Sequence, residues 1–272
     1  MSTSPGFGDR LARAVAARES QVVLGLDPDP ARIGEGAAAA SEFCTRIIMA
    51  AGPACVAVKP QLAWFERLGS AGWDALERVA TLAADQGLLV IADAKRGDVE
   101  VTSRAYAHAL VRAPFDAVTV NPLLGTDAVT PFLEAARATG RGLFVLVRTS
   151  NPGAADLQDL RLADGSPWHE AVARLVAVWG AAGVGSGGIS DVGAVVGATA
   201  PEHLAALRKL MPNQPFLIPG VGAQGGRPED LGAAFAGTRA AAVVAASRSI
   251  LYAEDPRASA ESLRTQLWAV SG

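Results

Sequence analysis

Only three of the chain's 24 basic residues are lysines, Lys59, Lys95 and Lys209, and two of them stand at the ends of apolar runs. Lys95 lies in Asp93-Ala94-Lys95-Arg96-Gly97-Asp98, directly after the run Leu88-Ala92. Lys59 closes the run that contains Val56-Ala57-Val58. A charged stretch after a strand is usually a solvated turn. Here a second lysine at the matching end of the neighbouring strand lets opposite charges converge, and charges held away from water are tolerated only when paired and hydrogen-bonded. Asp93 and Lys95 are two residues apart, so they project the same way if the extended conformation continues. Neighbouring carboxylates favour the ammonium form of a lysine, which suits proton delivery and charge stabilisation better than Schiff-base attack.

A second feature points to phosphate. Gly220-Val221-Gly222-Ala223-Gln224-Gly225-Gly226 follows an apolar run and precedes a helical segment, a geometry that offers backbone N-H groups to an anion. Arg248, after the last apolar run, adds a forked, charge-assisted donor. Another glycine pattern, Gly183, Gly185 and Gly188, leads from a helix into a strand and reads as a loop, the reverse of a dinucleotide fingerprint. Only one more strand remains after the Gly220-Gly226 loop, and it ends in Ser247-Arg248 with no acidic residue to hold a ribose, which argues against a nicotinamide fold.

The elements that must position these groups alternate from end to end. Candidate strands are Val22-Leu26, Cys55-Val58, Leu88-Ala92, Ala117-Val120, Leu143-Val147, Val192-Val196, Phe216-Ile218 and Ala241-Ala245. Helical segments fall at about 36-51, 62-86, 101-112, 126-139, 167-181, 201-211, 228-236 and 257-270, with a further helix near 8-18. Continuous apolar runs of this length indicate strands buried on both faces. Eight βα units without a linker predict a single (β/α)8 TIM barrel over residues 1-272 with an extra N-terminal helix, in preference to an open Rossmann-like sheet. Catalytic groups should then come from the C-terminal strand ends.

Composition narrows the partners. With 24 basic against 27 acidic residues and a net charge of -3, the chain lacks the positive excess that nucleic acid demands. Cys44 and Cys55 read as buried thiols, with no spacing for zinc or a disulfide framework. His108, His169 and His203 are far apart in sequence and read as surface or helix histidines, so no metal is expected. No secretory signal or membrane-spanning run is apparent, and a cytoplasmic location is expected.

The ordered strand-end motifs Leu26-Asp27, Val58-Lys59-Pro60, Asp93-Ala94-Lys95-Arg96-Gly97-Asp98, Thr149-Ser150-Asn151-Pro152-Gly153, Pro219-Gly220-Val221-Gly222-Ala223-Gln224-Gly225-Gly226 and Ser247-Arg248 resemble the orotidine 5'-phosphate decarboxylase family, particularly its longer bacterial group. The resemblance implies cofactor-free, metal-free decarboxylation of orotidine 5'-monophosphate (OMP) to UMP, the last step of de novo pyrimidine synthesis. It implies an alternating array of Lys59, Asp93, Lys95 and Asp98, with Lys95 as proton donor to C6 of the pyrimidine and Asp93 against the departing carboxylate. It also assigns Asp27 and Lys59 to ribose hydroxyls, Ser150 to the pyrimidine, and Gln224, Gly222 and Arg248 to the phosphate region. Asp98 and Thr102 would reach the partner's site in a homodimer with shared active sites. Ser247 departs from the glycine that often precedes the phosphate arginine in shorter members. The rival reading is a Mg-dependent sugar-phosphate decarboxylase or aldol-type synthase on the same barrel, which would need a further carboxylate.

Overall fold

Eight parallel strands pair in sequence order, and the last pairs with the first to close a barrel. They are β1 (Val22–Leu26), β2 (Ala57–Pro60), β3 (Leu89–Arg96), β4 (Ala117–Val120), β5 (Gly142–Arg148), β6 (Val192–Val196), β7 (Phe216–Pro219) and β8 (Ala242–Ala246). This computed structural model describes residues 5-199, 201-222 and 225-272.

The strands explain themselves by alternation. Val22, Leu24 and Leu26 of β1, Val90 and Ala92 of β3, and Leu143, Val145 and Val147 of β5 belong to the core between barrel and helices. Their neighbours Val23, Leu89, Ile91, Phe144, Val195, Leu217 and Val243 form a second core inside the barrel. Both faces are therefore apolar, as the unbroken hydrophobic runs require. The period of two then sets which side chains point inward at the C-terminal end: Ala57 leads to Lys59, Ile91 to Asp93 and Ala117 to Thr119.

The N-terminal helix Phe7–Arg18 belongs to the inner core, with Phe7, Leu11 and Val15 buried against it. Phe7 meets Phe144 edge to face, with centroids 5.8 Å apart. Gly142 permits this, because a Cβ there would lie 2.3 Å from the Phe7 ring.

Three local expectations change. The segment 62-86 is two helices, Leu62–Glu66 and Gly69–Asp85, because Gly69 takes φ +64° and Gly72 lets the Phe65 carbonyl approach more closely than any Cβ would allow. The segment near 228-236 is a 3-10 helix over Pro228–Phe235, where Pro228 lacks a donor and Gly232 weakens helix propensity. Finally, β3 does not stay extended: the backbone turns left-handed at Lys95, φ +48°, with a register shift between Ala92 and Arg96. No helix among the described residues is long and apolar enough to cross a membrane.

Phe7→Ala should destabilise the protein by about 3-5 kcal/mol, the scale of an aromatic truncation that leaves a cavity. Urea unfolding measures this, and kcat should stay near wild type because the contact lies at the barrel end opposite the charged strand termini.

Candidate active site

Asp93 sits at the inward position of β3 and is 6% exposed. Its Oδ2 accepts from Lys59 Nζ at 2.6 Å and from Gln61 Nε2 at 3.1 Å. Its Oδ1 accepts from Lys95 Nζ at 2.5 Å and from Thr119 Oγ1 at 3.0 Å. Four donors thus satisfy the lone-pair sites of one buried carboxylate.

The left-handed turn at Lys95 serves this arrangement. It costs roughly 1-2 kcal/mol in a residue with a Cβ, and the freed Lys95 N-H donates to Thr119 Oγ1 at 2.9 Å. Thr119 therefore receives from the Lys95 backbone and donates to the Asp93 carboxylate, fixing both. The Lys95 side chain remains 44% exposed, whereas Lys59 is 9% exposed. One ammonium faces the open mouth and the other lies deeper in the cavity wall.

Electrostatics reinforce the geometry. Burial pushes the Asp93 pKa up, but Lys59 and Lys95 outweigh it and hold the carboxyl well below its ordinary 3.8. Burial alone would lower the Lys59 pKa, yet the Asp93 and Asp27 carboxylates lift it above 10.5. Asp93 and Lys59 are thus both charged throughout the neutral range.

Around the array is a cavity of about 570 Å3 whose lining includes Asp27, Lys59, Asp93, Lys95, Ser150 and Arg248. Leu146, Val195, Leu217 and Ala245 contribute apolar lining from the barrel interior. Among the described residues, the charged groups lining it are three cations and two carboxylates, which favours an anionic ligand. Asp27 has one buried oxygen, Oδ1, without a hydrogen-bond partner among the described residues. Its loop is braced by Tyr252, whose hydroxyl donates to the Asp27 carbonyl at 3.1 Å and accepts from Asp29 N-H at 3.2 Å.

The residues expected at a phosphate are placed unevenly. Arg248 lines the cavity and has no ion pair among the described residues. Gly220 and Val221 also line it, whereas Gly222, φ +75°, gives its N-H to the Gly226 carbonyl at 2.9 Å and stands outside the lining. Gln224 lies outside the described residues. Ser247 lines the wall and packs against β1, where a Cβ on Gly25 would lie 1.9 Å from Ser247 Oγ.

Asp98 and Thr102 are not among the cavity residues; Asp98 Oδ1 accepts from the Val99 N-H at 2.8 Å, just before the helix Glu100–Arg112. Gln61 and Thr119 escaped the sequence reading. Each carried a signal: Thr119 is a hydroxyl at an inward position of an apolar strand, and Gln61 follows Lys59 by two. The histidines lie on helices, as a helix reading allows, yet two of them meet in space. His169 is buried and its ring lies 4.7 Å from that of His203, because the helix Glu202–Leu210 that follows β6 packs against the helix Trp168–Gly180. Cys44 and Cys55 are buried free thiols as expected, with burial pushing both pKa values up to about 12.

Asp93→Asn should cost about 3-5 kcal/mol, because it leaves the buried Lys59 ammonium without its main counter-charge. The sign with pH is set by the direction of each shift. The Asp93 contribution is present above its ordinary 3.8 and is lost as pH falls through the lower folded value. That of Lys59 is present below 10.5 and is lost as pH rises through the higher folded value. Urea titrations of wild type and Asp93→Asn should therefore keep a constant gap from pH 5 to 9, narrowing toward either extreme.

A family model described as "Orotidine 5'-phosphate decarboxylase / HUMPS family" matches residues 20-263. A Halorubrum lacusprofundi protein named orotidine 5'-phosphate decarboxylase is 48% identical over 227 residues, covering 82% of this chain and 77% of the relative. A Rhodopirellula baltica protein of the same name is 42% identical over 268 residues, covering 91% and 88%. The solved Leishmania donovani OMP decarboxylase is 36% identical, with a TM-score of 0.85 and coverage of 98% of this chain and 99% of that one.

Proposed function

The chain belongs to the orotidine 5'-phosphate decarboxylase / HUMPS family and catalyses OMP decarboxylation in pyrimidine biosynthesis, and we propose that the Lys59-Asp93-Lys95 array performs the chemistry with Lys95 as proton donor. The single observation that carries the proposal is one buried carboxylate clamped between two ammonium groups at the mouth of an anion-favouring cavity.

The reaction breaks the bond between C6 of the pyrimidine and its carboxylate. CO2 departs, the electron pair stays on C6, and a proton from Lys95 Nζ completes UMP. The neutral amine left on Lys95, on the open side of the site, regains its proton from solvent. As charge moves from carboxylate to ring carbon, a fixed ammonium at that carbon gains more attraction in the transition state than in the substrate. Asp93 holds the ammonium in place before substrate arrives, so little reorganisation accompanies the step. The same carboxylate faces the substrate's own, and the departure of CO2 relieves that juxtaposition.

Remote binding is shared around the lining. Asp27 Oδ1 is an unpartnered acceptor suited to a ribose hydroxyl, Lys59 approaches the same sugar, Ser150 faces the pyrimidine, and Arg248 takes the phosphate beside the Gly220 loop. Gln224 and Gly222 join the phosphate region by family resemblance. We place Asp98 and Thr102 at the site of a second copy in a homodimer. Exposed Val99, Val101, Tyr106, Leu123 and Leu124, around the same helix and the loop after β4, supply an apolar surface for that contact. The free buried thiols suit a reducing compartment, and we assign the chain to the cytoplasm, acting without nucleic acid.

The Mg-dependent alternative is not favoured. Among the described residues, the carboxylates lining the cavity are Asp27 and Asp93, and Asp93 is already saturated by four donors.

Protein treated with EDTA should convert OMP to UMP with full loss of the substrate's distinguishing ultraviolet absorbance; folded protein without turnover would contradict the proposal. Lys95→Ala should lower kcat by more than about 10,000-fold, because charge stabilisation and proton delivery disappear together. Arg248→Ala should weaken UMP binding by about 1.5-3 kcal/mol, read by calorimetry, with little effect on uridine.

A further inference from the structure

Behind the loop that follows β5 lies a polar brace whose outer members, Arg148, Asp159 and His169, stand outside the cavity lining. Arg148, the last residue of β5, donates from Nε and Nη2 to the two oxygens of Asp159 at 2.8 and 2.9 Å. Its Nη1 donates to the Thr149 carbonyl at 2.6 Å. Gln158 closes on Thr149 from the other side: Oε1 accepts from the Thr149 N-H at 2.7 Å, and Nε2 donates to Thr149 Oγ1 at 2.9 Å. Thr149, Ser150, Asn151 and Gln158 all line the cavity.

The Gln158 backbone is itself held. His169 Nδ1 lies 2.8 Å from the Gln158 carbonyl. A carbonyl can only accept, so Nδ1 carries the hydrogen and the tautomer is fixed. His169 is 1% exposed on the helix Trp168–Gly180, a rigid element outside the barrel wall.

We propose that His169 is a positioning residue for substrate recognition: its Nδ1-H fixes the Gln158 carbonyl, Gln158 fixes Thr149, and Thr149 sets where Ser150 meets the pyrimidine. The proposal rests on the assignment of Ser150 to the base. It makes His169 act through two residues without contacting the ligand. Asp159, His169 and His203 also bring potential metal-ligand atoms within 4.8 Å of one another. Both Asp159 oxygens are nevertheless engaged by the Arg148 guanidinium, and His169 Nδ1 faces the Gln158 carbonyl at 2.8 Å with Asp159 Oδ1 at 3.2 Å, so the cluster works as a hydrogen-bonded brace. Burial, with His203 nearby, pushes the His169 pKa down against the pull of the Gln158 carbonyl, which keeps a second positive charge away from Arg148.

The test compares wild type, His169→Leu and His169→Asn by titration calorimetry with UMP and with ribose 5-phosphate. His169→Leu should raise the Kd for UMP about tenfold, some 1.4 kcal/mol, while leaving the Kd for ribose 5-phosphate unchanged. His169→Asn, whose amide N-H can replace Nδ1-H, should restore UMP binding to within about threefold. If His169→Leu fails to fold, His169→Phe keeps the ring and carries the same expectation. Equal weakening of both ligands, unchanged UMP affinity in the apolar variant, or no rescue by Asn would each overturn the proposal. Ser150→Ala separates the underlying assignment: wild-type UMP affinity there would remove Ser150 from base recognition, whatever the His169 variants do.

Discussion

The carboxylate of Asp93 is the constraint on which the site depends. A buried anion is costly unless it is paired and fully hydrogen-bonded, and here two lysines, a glutamine and a threonine supply the bonds. Those donors come from β2, the residue after it, β3 and β4, so three adjacent strands must hold register before the charges balance. The barrel provides that register through backbone pairing, reinforced by an isolated bridge between Gln61 and Asp93. The side-chain charges do not fold the protein; they are a burden that a closed, apolar scaffold makes tolerable.

The arrangement also divides labour within one ion pair network. Lys59 and Asp93 are buried in the cavity wall, and their charge states are held by mutual attraction. Lys95 touches the same carboxylate but looks into the open cavity. A fixed inner pair thus orients an outer ammonium, which is the condition for electrostatic preorganisation.

Much of this was legible in the amino-acid sequence because strand ends in a barrel are marked by abrupt polarity. Apolar runs gave way to Lys59, Asp93 and Arg248, and the period of two pointed the first two inward. What escaped was conformational or tertiary. Nothing in the composition of the Asp93-Asp98 stretch announces a left-handed residue at Lys95, because that turn is stabilised by Thr119 on another strand. The break after Glu66 depends on a close approach at Gly72, visible only when Phe65 lies above it. His169 and His203 gave no paired spacing, since their meeting depends on the helix Glu202–Leu210 packing against the earlier helix Trp168–Gly180. Sequence periodicity reports what a strand buries; it is silent about which distant hydroxyl or imidazole completes a hydrogen bond.

The contact between Gly25 and Ser247 joins the first strand to the last, and Tyr252 reaches back from beyond β8 to the carbonyl of Asp27. Asp27 and Arg248 therefore line the cavity on either side of the seam where the barrel closes. These two groups, from opposite ends of the chain, thus share one cavity wall, and β8 serves both to shut the sheet and to carry the arginine back beside the first strand.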